Sequence, residues 1–336
     1  MGLPMDILRM NVGQIFQTPQ LPQADLSGRT IIITGANTGL GFEAAKHFYA
    51  LKASHLILAC RNLTKGEDAR KKIVASTDKS SPNATVEVWP LDLSSSSSVL
   101  AFGERMNTLS RLDAFIANAG QDTIQYEKVE GNESLLTVNV ISTFLVGMLA
   151  IPKLRETGDL QRRQLSRLVF VGSVIHIFAK DQYLREPPPG KIFQTLNDES
   201  TADMDDRYHL TKLLVLLGAR KLAGKINGES KEAQRPVIVN CVNPGWCKTE
   251  LFRTHDGGLG GRIGLALIGR TAEQGSRTLV HAAVADADSH GKYLSECRVK
   301  PESTFVRSDA GVQVEERIWS ELVEILEMIS PGVTDV

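Results

Sequence analysis

Cysteine is scarce in this chain, with four residues in 336: Cys60, Cys241, Cys247 and Cys297. None falls at the short paired spacing of a zinc site or a dithiol redox motif, so a disulfide scaffold has no basis. The thiols read as reduced, in a cytosolic-type compartment. An excess of charge is missing too. The 38 Lys and Arg face 39 Asp and Glu, a net charge of -1, which gives no electrostatic reason to expect nucleic acid or an anionic surface as partner. The opening MGLPMDILRM lacks the basic region and long apolar core of a secretory signal. The glycosylation-like triplets at Asn62, Asn83 and Asn132 therefore read as chance. No apolar run is long and clean enough to span a bilayer. The nearest, Leu135 to Ile151, is interrupted by Asn139, Ser142 and Thr143 and reads as a buried helix.

Internal repeats and Gly/Ser linkers are absent as well, so nothing divides the chain in two. What is present is an alternation. Strand-like runs at Thr30–Thr34, Leu56–Cys60, Val86–Trp89, Ala114–Ala117, Leu168–Val171, Val237–Val242 and Lys292–Leu294 are separated by helical patterns. The helices are expected at Phe42–Leu51, Lys65–Ala75, Ser97–Leu109, Glu133–Leu154, Asp205–Leu222 and Thr271–Ala285. Near-continuous apolar strands between helices imply an α/β fold: one doubly wound parallel sheet of about seven strands, with helices on both faces.

Residues 1–25 stand apart as an appendage. Ile7, Leu8, Val12, Ile15 and Phe16 are spaced like a short amphipathic helix, and two prolines in Gln17–Gln23 end it. It is expected to lie on the main domain, with a weak membrane-surface contact as the sharper alternative. The domain proper runs over residues 26–300. A long insertion, Ile175–Arg207, carries Pro187-Pro188-Pro189-Gly190 and an acidic cluster, and Arg253–Gly269 is glycine-rich. Loops of such length in a compact domain are usually functional or disordered. The insertion leaves just after Ser173 and returns just before Tyr208. Its Ile177, Phe178, Tyr183, Leu184, Ile192, Phe193 and Leu196 are therefore expected to wall part of a substrate pocket, with an insertion packing on its own as the plain alternative. In residues 301–336, Val314–Ile329 is amphipathic and suited to docking on the domain or on a second subunit.

The chain is organised around Ile31-Ile32-Ile33-Thr34-Gly35-Ala36-Asn37-Thr38-Gly39-Leu40-Gly41. A β-branched run ends in a glycine-rich turn, and a helix pattern (Phe42, Ala45, Phe48, Leu51) follows at once. Glycine allows positive φ and close backbone approach, and the free N–H groups of a helix start favour an anion. A dinucleotide pyrophosphate is the usual occupant of such a turn. An ordinary strand–helix connection is the plain alternative.

Tyr208-His209-Leu210-Thr211-Lys212 is the strongest chemical signal. On a helix, a spacing of four puts phenol and ammonium on one face. A free tyrosine ionises near pH 10, so acid–base work near neutrality takes roughly 4 kcal/mol. A unit charge at ~4 Å supplies about that much at an effective dielectric of ~20. Chance alone produces this spacing in many chains, so its company matters. Ser173 ends the fifth strand run at the carboxyl edge, where open α/β sheets place ligands, and could donate to a carbonyl oxygen. Asn139, inside an apolar helix, must be hydrogen-bonded; it is either a cap on a local helix distortion or part of a relay. Asn118 ends the fourth strand, and Asp92 after the third could accept from an adenine amine.

On these residues the chain resembles the short-chain dehydrogenase/reductase family, from about Leu26 to Leu294. The shared features are Thr34–Gly41, Asp92, Asn118-Ala119-Gly120, Asn139, Ser173, Tyr208 with Lys212, and Pro244-Gly245-Trp246-Cys247-Lys248-Thr249. Ala59-Cys60-Arg61-Asn62 and Thr271-Ala272-Glu273-Gln274-Gly275 resemble the retinol-dehydrogenase-like reductases and their fungal relatives. Three departures stand out. The family's doubled serine is Gly172-Ser173 here, and its doubled asparagine is Ala117-Asn118. The interval from Ser173 to Tyr208 is also longer than the family's common spacing.

The resemblance implies a Rossmann-type domain and roles for its residues. Tyr208 is the general acid in reduction and base in oxidation, Lys212 lowers its pKa and holds the cofactor ribose, Ser173 polarises the carbonyl, and Asn139 anchors a relay water. It implies cofactor contacts from Gly35, Asn37, Thr38, Gly39, Leu40, Gly41, Asp92, Leu93, Asn118, Ala119 and Gly120. Further contacts are implied from Pro244, Gly245, Cys247 and Thr249, the last two at the nicotinamide amide. An NAD-selecting enzyme usually carries a carboxylate at the end of the second strand. That edge reads Leu58-Ala59-Cys60-Arg61-Asn62, and the fork of Arg61 suits a phosphate, with Lys65 assisting. The expectation is an NADP(H)-dependent oxidoreductase interconverting a carbonyl and an alcohol. Its substrate is a fairly bulky apolar small molecule, in keeping with secondary metabolism, and no metal is expected. A catalytically silent nucleotide-binding protein is the alternative from another class. A sugar-nucleotide epimerase also uses a Tyr/Lys pair, but with a different glycine spacing and a larger C-terminal domain.

Overall fold

Thr30–Thr34 is buried along its whole length, which a strand achieves only when both faces of its sheet are covered. The computed structural model describes residues 2–77, 83–160, 165–226, 237–249 and 264–336. In it this strand, β1, lies inside an eight-stranded sheet. The others are β2 (His55–Cys60), β3 (Thr85–Pro90), β4 (Ala114–Ala117), β5 (Ser166–Val171), β6 (Val237–Asn243), β7 (Tyr293–Ser295) and β8 (Arg298–Val299). The order is β8-β7-β6-β5-β4-β1-β2-β3, parallel throughout except for the antiparallel β7–β8 pair. The two-residue β8, Arg298 and Val299, has no apolar run and was not expected from the sequence.

The longer helices among the described residues are α1 (Gly2–Phe16), α2 (Gly39–Ala50), α3 (Leu63–Val74), α4 (Ser96–Asn107), a long α5 ending at Leu160, α6 (Met204–Ile226), α7 (Ala272–Val284) and α8 (Asp309–Ile329). Alternate side chains of β1 serve opposite layers: Ile31 and Ile33 belong to the core shared with α2, α3 and α7, and Ile32 to the core shared with α4, α5, α6 and α8. Because β1 is flanked by β2 on one side and β4 on the other, the chain leaves their carboxyl ends toward opposite faces. A crevice opens there.

Helix α5 is not uniform. It begins as Ser134–Leu136, continues as a π turn over Thr137–Ile141, and resumes as Ser142–Leu160. A π turn shifts the register of the helix and frees backbone groups, a distortion that recurs at functional sites. Among the described residues this segment, Ser134–Gly158, is the one helix long and apolar enough to cross a membrane, and 94% of its apolar window is buried in the domain.

The insertion divides into two parts. Its beginning, Val174–Phe178, is a 3-10 turn directly beyond β5. Further on, Leu184, Ile192, Phe193 and Leu196 enter the hydrophobic core instead of a substrate pocket. There they meet α8, whose Val314, Ile318, Leu322 and Leu326 are buried. Glu321 on α8 accepts from the N–H groups of Ile192 at 3.0 Å and Phe193 at 2.9 Å. The expectation that Phe193 walls a substrate pocket is therefore corrected: its ring seats the C-terminal helix on the domain. The return to α6 is tied down by Asp206 Oδ2, which accepts from Lys180 N at 3.0 Å, and by Asp203 Oδ2, which accepts from Tyr183 Oη at 3.0 Å.

Helix α1 lies on the domain by its polar side. Asp6 Oδ2 accepts from Thr304 N at 2.7 Å, while Leu3, Met5, Leu8, Val12, Ile15 and Phe16 stay exposed. Of the glycine-rich stretch Arg253–Gly269, residues 253–263 lie outside the described residues. Deleting the Phe193 ring leaves a cavity under α8. Phe193→Ala is expected to lower the unfolding free energy by about 3–5 kcal/mol in urea titration, with substrate KM unchanged.

Candidate active site

The site begins where β1 stops. Gly35 and Gly39 take φ of +66° and +58°, values that non-glycine residues seldom adopt. A Cβ on Gly41 would stand 2.6 Å from Asn118 Nδ2 and 2.7 Å from the Gly35 carbonyl, so only glycine lets α2 approach β1 and β4 this closely. Thr38 is the N-cap of α2, and its side chain makes no capping hydrogen bond. The first-turn N–H groups thus remain directed at whatever anion arrives. Thr34 Oγ1 accepts from the N–H groups of Asn118 at 2.9 Å and Ala119 at 2.8 Å, and Asn118 Nδ2 donates to Thr34 O at 2.8 Å.

A cleft of about 490 Å³ follows this edge. The turn contributes Gly35, Asn37, Thr38, Gly39 and Leu40, and the β2 edge contributes Arg61 and Lys65. Asn118, Ala119, Gly120, Gln121 and Asp122 come from beyond β4, and Ser173 from beyond β5. Tyr208 and Lys212 face it from α6, and Pro244, Gly245, Cys247 and Thr249 from the loop after β6. Ser173, Tyr208 and Lys212 thus share one cavity despite the long insertion between them. Glycine at 172 has a local cause, since a Cβ there would sit 2.7 Å from Cys241 Sγ.

Four expected site residues do not line the cleft. Gly41 acts through packing. Asp92 Oδ1 accepts from Ser94 N at 2.9 Å and Ser94 Oγ at 2.6 Å, a local turn bond, and Leu93 is buried in the core. Asn139, in the π turn, accepts from Gln121 N at 2.9 Å and donates to Gln121 O at 2.9 Å and Thr211 Oγ1 at 3.3 Å. Its side chain therefore fixes the loop that carries Asp122. Gln121 and Asp122 were missed in the sequence, although their position directly after Asn118-Ala119-Gly120 was the available signal.

Lys212 Nζ lies 5.5 Å from the Tyr208 ring centroid and donates to Val171 O at 3.0 Å. Burial lowers the lysine pKa to about 8, because a low-dielectric site disfavours the charged form. It still leaves the amine mostly protonated at neutral pH. Burial also pushes the Tyr208 phenol above its ordinary value, and the Asp122 carboxylate adds to the rise. The expectation that Lys212 lowers the phenol's pKa is not met in the protein by itself, where burial and Asp122 outweigh it. Cys247, inside the same loop, is raised by burial to about 12, which makes it an inert thiol.

A sequence model described as short chain dehydrogenase matches residues 29–182. The short chain dehydrogenase/reductase dmxR8 of Cryptosporiopsis sp. (strain 8999) is 43% identical over 328 residues, 96% of this chain and 97% of that protein. The short-chain dehydrogenase anuD of Penicillium roqueforti (strain FM164) is 39% identical, over 98% and 85%. Among solved structures, the 3-ketoacyl-(acyl-carrier-protein) reductase of Brucella melitensis, complexed with NADH, superposes with a TM-score of 0.56 at 20% identity, over 80% of this chain and 96% of that one. This last likeness concerns the fold. The chain belongs to the short-chain dehydrogenase/reductase family and is an oxidoreductase by that membership.

His176, three residues beyond Ser173, is buried. Its Nε2 accepts from Ser303 N at 3.3 Å, which assigns the proton to Nδ1, and Nδ1 donates to Ser173 O at 2.7 Å. Burial holds its pKa below the ordinary 6.5, against the pull of Asp6 and Glu302. The folded state therefore binds fewer protons than the unfolded one. The resulting stability is full above the unfolded pKa of about 6.5 and is lost as pH falls below it. The urea midpoint is expected to drop between about pH 7 and about pH 5, and to drop less in His176→Gln. Parallel profiles for the two proteins would sink this assignment.

Proposed function

We propose that the chain is an NADP(H)-dependent reductase/dehydrogenase that interconverts a carbonyl and an alcohol on a fairly bulky, apolar small molecule. One observation carries the reading. Ser173, Tyr208 and Lys212 face the same cleft as an uncapped helix N-terminus. The cleft fits a dinucleotide: glycines at positive φ and free N–H groups suit its pyrophosphate, and Arg61 with Lys65 suit a ribose phosphate. Asp122 is the one carboxylate among the described lining residues, and its charge acts on Tyr208 and Lys212. The β2 edge thus offers cations and no acid to a 2′-phosphate.

A bound nicotinamide supplies the hydride in reduction and accepts it in oxidation. Tyr208 delivers a proton to the carbonyl oxygen in reduction and removes it from the alcohol in oxidation. Ser173 Oγ is the hydroxyl that donates to the same oxygen. Lys212, fixed on Val171 O, holds the cofactor ribose and offsets charge on the phenolate. Asn139 holds the Gln121–Asp122 loop against α6, and Thr249 with the Cys247 backbone meets the carboxamide. Orientation is the protein's share of the work, since the redox chemistry belongs to the cofactor.

Room for the apolar part of a substrate is found next to Ser173. A second cleft of about 350 Å³ is lined by Val174 and Ile177 from the insertion and by Leu8, Met10 and Val12 of α1, with the charged Asp6, Arg9, Glu296, Lys300 and Glu302 also on its walls. Tyr293 and Asn243 at the ends of β7 and β6 also line it.

Tyr208→Phe keeps the ring and removes the proton donor. Turnover on a panel of ketones and aldehydes is expected to fall on the order of 10²–10⁴-fold, with NADPH affinity retained; a variant that keeps wild-type turnover refutes the role. Arg61→Ala removes the phosphate partner, so it should weaken NADPH about tenfold or more and leave NADH unchanged. Equal specificity constants for NADH and NADPH in the unaltered enzyme would overturn the cofactor preference.

A further inference from the structure

The loop after β6 takes backbone partners from a distant helix. Its short strand, Cys247–Lys248, pairs among the described residues with Arg270–Thr271, and Arg270 N donates to Trp246 O at 2.8 Å. The Trp246 N–H finds its partner in α1, donating to Gln14 Oε1 at 3.0 Å. The same amide returns two bonds, with Gln14 Nε2 donating to Trp246 O at 3.1 Å and to Ile268 O at 2.8 Å. One side chain thus pairs with the loop as a neighbouring strand would, donor to acceptor and acceptor to donor.

The Arg270 guanidinium closes the joint from below. Its side chain is 5% exposed and paired with Glu296 at 3.2 Å. Nη2 donates to the carbonyls of Gly13 at 2.8 Å and Gln17 at 2.9 Å, and Nη1 to Pro244 O at 3.2 Å. The Gly13 carbonyl in the last turn of α1, which also accepts from Gln17 N at 3.3 Å, the Gln17 carbonyl just beyond the helix and the first carbonyl of the loop therefore share one cation. The fit leaves no spare volume. At Gly245, with φ of +85°, a Cβ would lie 2.3 Å from Arg270 Nη1 and 2.8 Å from Gln14 Oε1.

We propose that Gln14, braced by Arg270, is a positioning residue that sets the Pro244–Thr249 loop against the nicotinamide half of the cofactor, so that α1 is a working part of the site. The inference rests on the reading of that loop as the nicotinamide contact. The adenosine half lies at the other end of the cleft, by Arg61 and the α2 N-terminus, which α1 does not touch in any bond described above. Loss of the Gln14 amide should therefore affect one half of the cofactor alone.

The test titrates the full-length chain, its Gln14→Ala variant and Met5→Ala, an exposed position on the same helix, with NADPH and with 2′,5′-ADP, which lacks the nicotinamide half. Gln14→Ala is expected to bind NADPH about tenfold more weakly, as the loss of three modest hydrogen bonds allows. Its 2′,5′-ADP affinity should be unchanged, and Met5→Ala should match the unaltered chain for both. If Gln14→Ala does not accumulate, Gln14→Met, which keeps most of the packing and removes the amide, is read the same way. Unchanged NADPH affinity, or equal losses for the two ligands, overturns the proposal. So does an unaltered chain that binds the two equally well. An unaltered chain that binds neither overturns the cofactor reading itself, and this inference with it.

Discussion

The bond set between Thr34 and Asn118 is the constraint on which the site depends. At the carboxyl edge β1 and β4 must part, because their chains leave for opposite faces of the sheet, yet they must stay registered or the crevice has no fixed width. Thr34 Oγ1 takes two backbone N–H groups from the β4 side, and the Asn118 amide returns a bond to Thr34 O. These partners satisfy polar groups that the divergence of the strands would otherwise strand in a buried place, where each would cost free energy. The joint also fixes Gly35 and Gly41 against Asn118, and so the angle at which α2 presents its N-terminus. Every other element of the cleft is placed relative to that edge.

The interior position of Tyr208 and Lys212 has two opposed consequences. Enclosure by α6 and the sheet gives both side chains a fixed geometry, which a proton transfer needs. The same enclosure disfavours both charges, raising the phenol and lowering the ammonium. A lysine at about 8 still carries most of its charge near neutrality, while the phenol stays neutral and suited to donating a proton.

The segments outside the alternating core are fastened by polar contacts to apolar supports. Helix α8 and the insertion hold one another through Glu321 and the buried Phe193, and α1 is held by Asp6, Gln14 and Arg270. The insertion consequently divides its labour. Val174 and Ile177 border a cleft, and Leu184, Ile192, Phe193 and Leu196 complete the core.

Much of this was legible in the residues alone. Seven of the strands, the glycine turn, and the Tyr208/Lys212 pair follow from local patterns, because a buried parallel strand, a positive-φ turn and one turn of helix each leave a signature within a few neighbouring residues. The chain order of those signatures was enough to give the α/β fold. Distance along the chain hid the rest. Nothing near Asn139 says that its amide would close on Gln121, nor near Asp92 that its carboxylate would be taken by Ser94. The apolar spacing of α1 gave no sign that its polar side would face the domain. Gln14 and Trp246 are 232 residues apart, and no periodicity links them. Such pairings are decided by which backbone groups remain unsatisfied once the sheet has formed, and only the assembled tertiary structure reveals those groups.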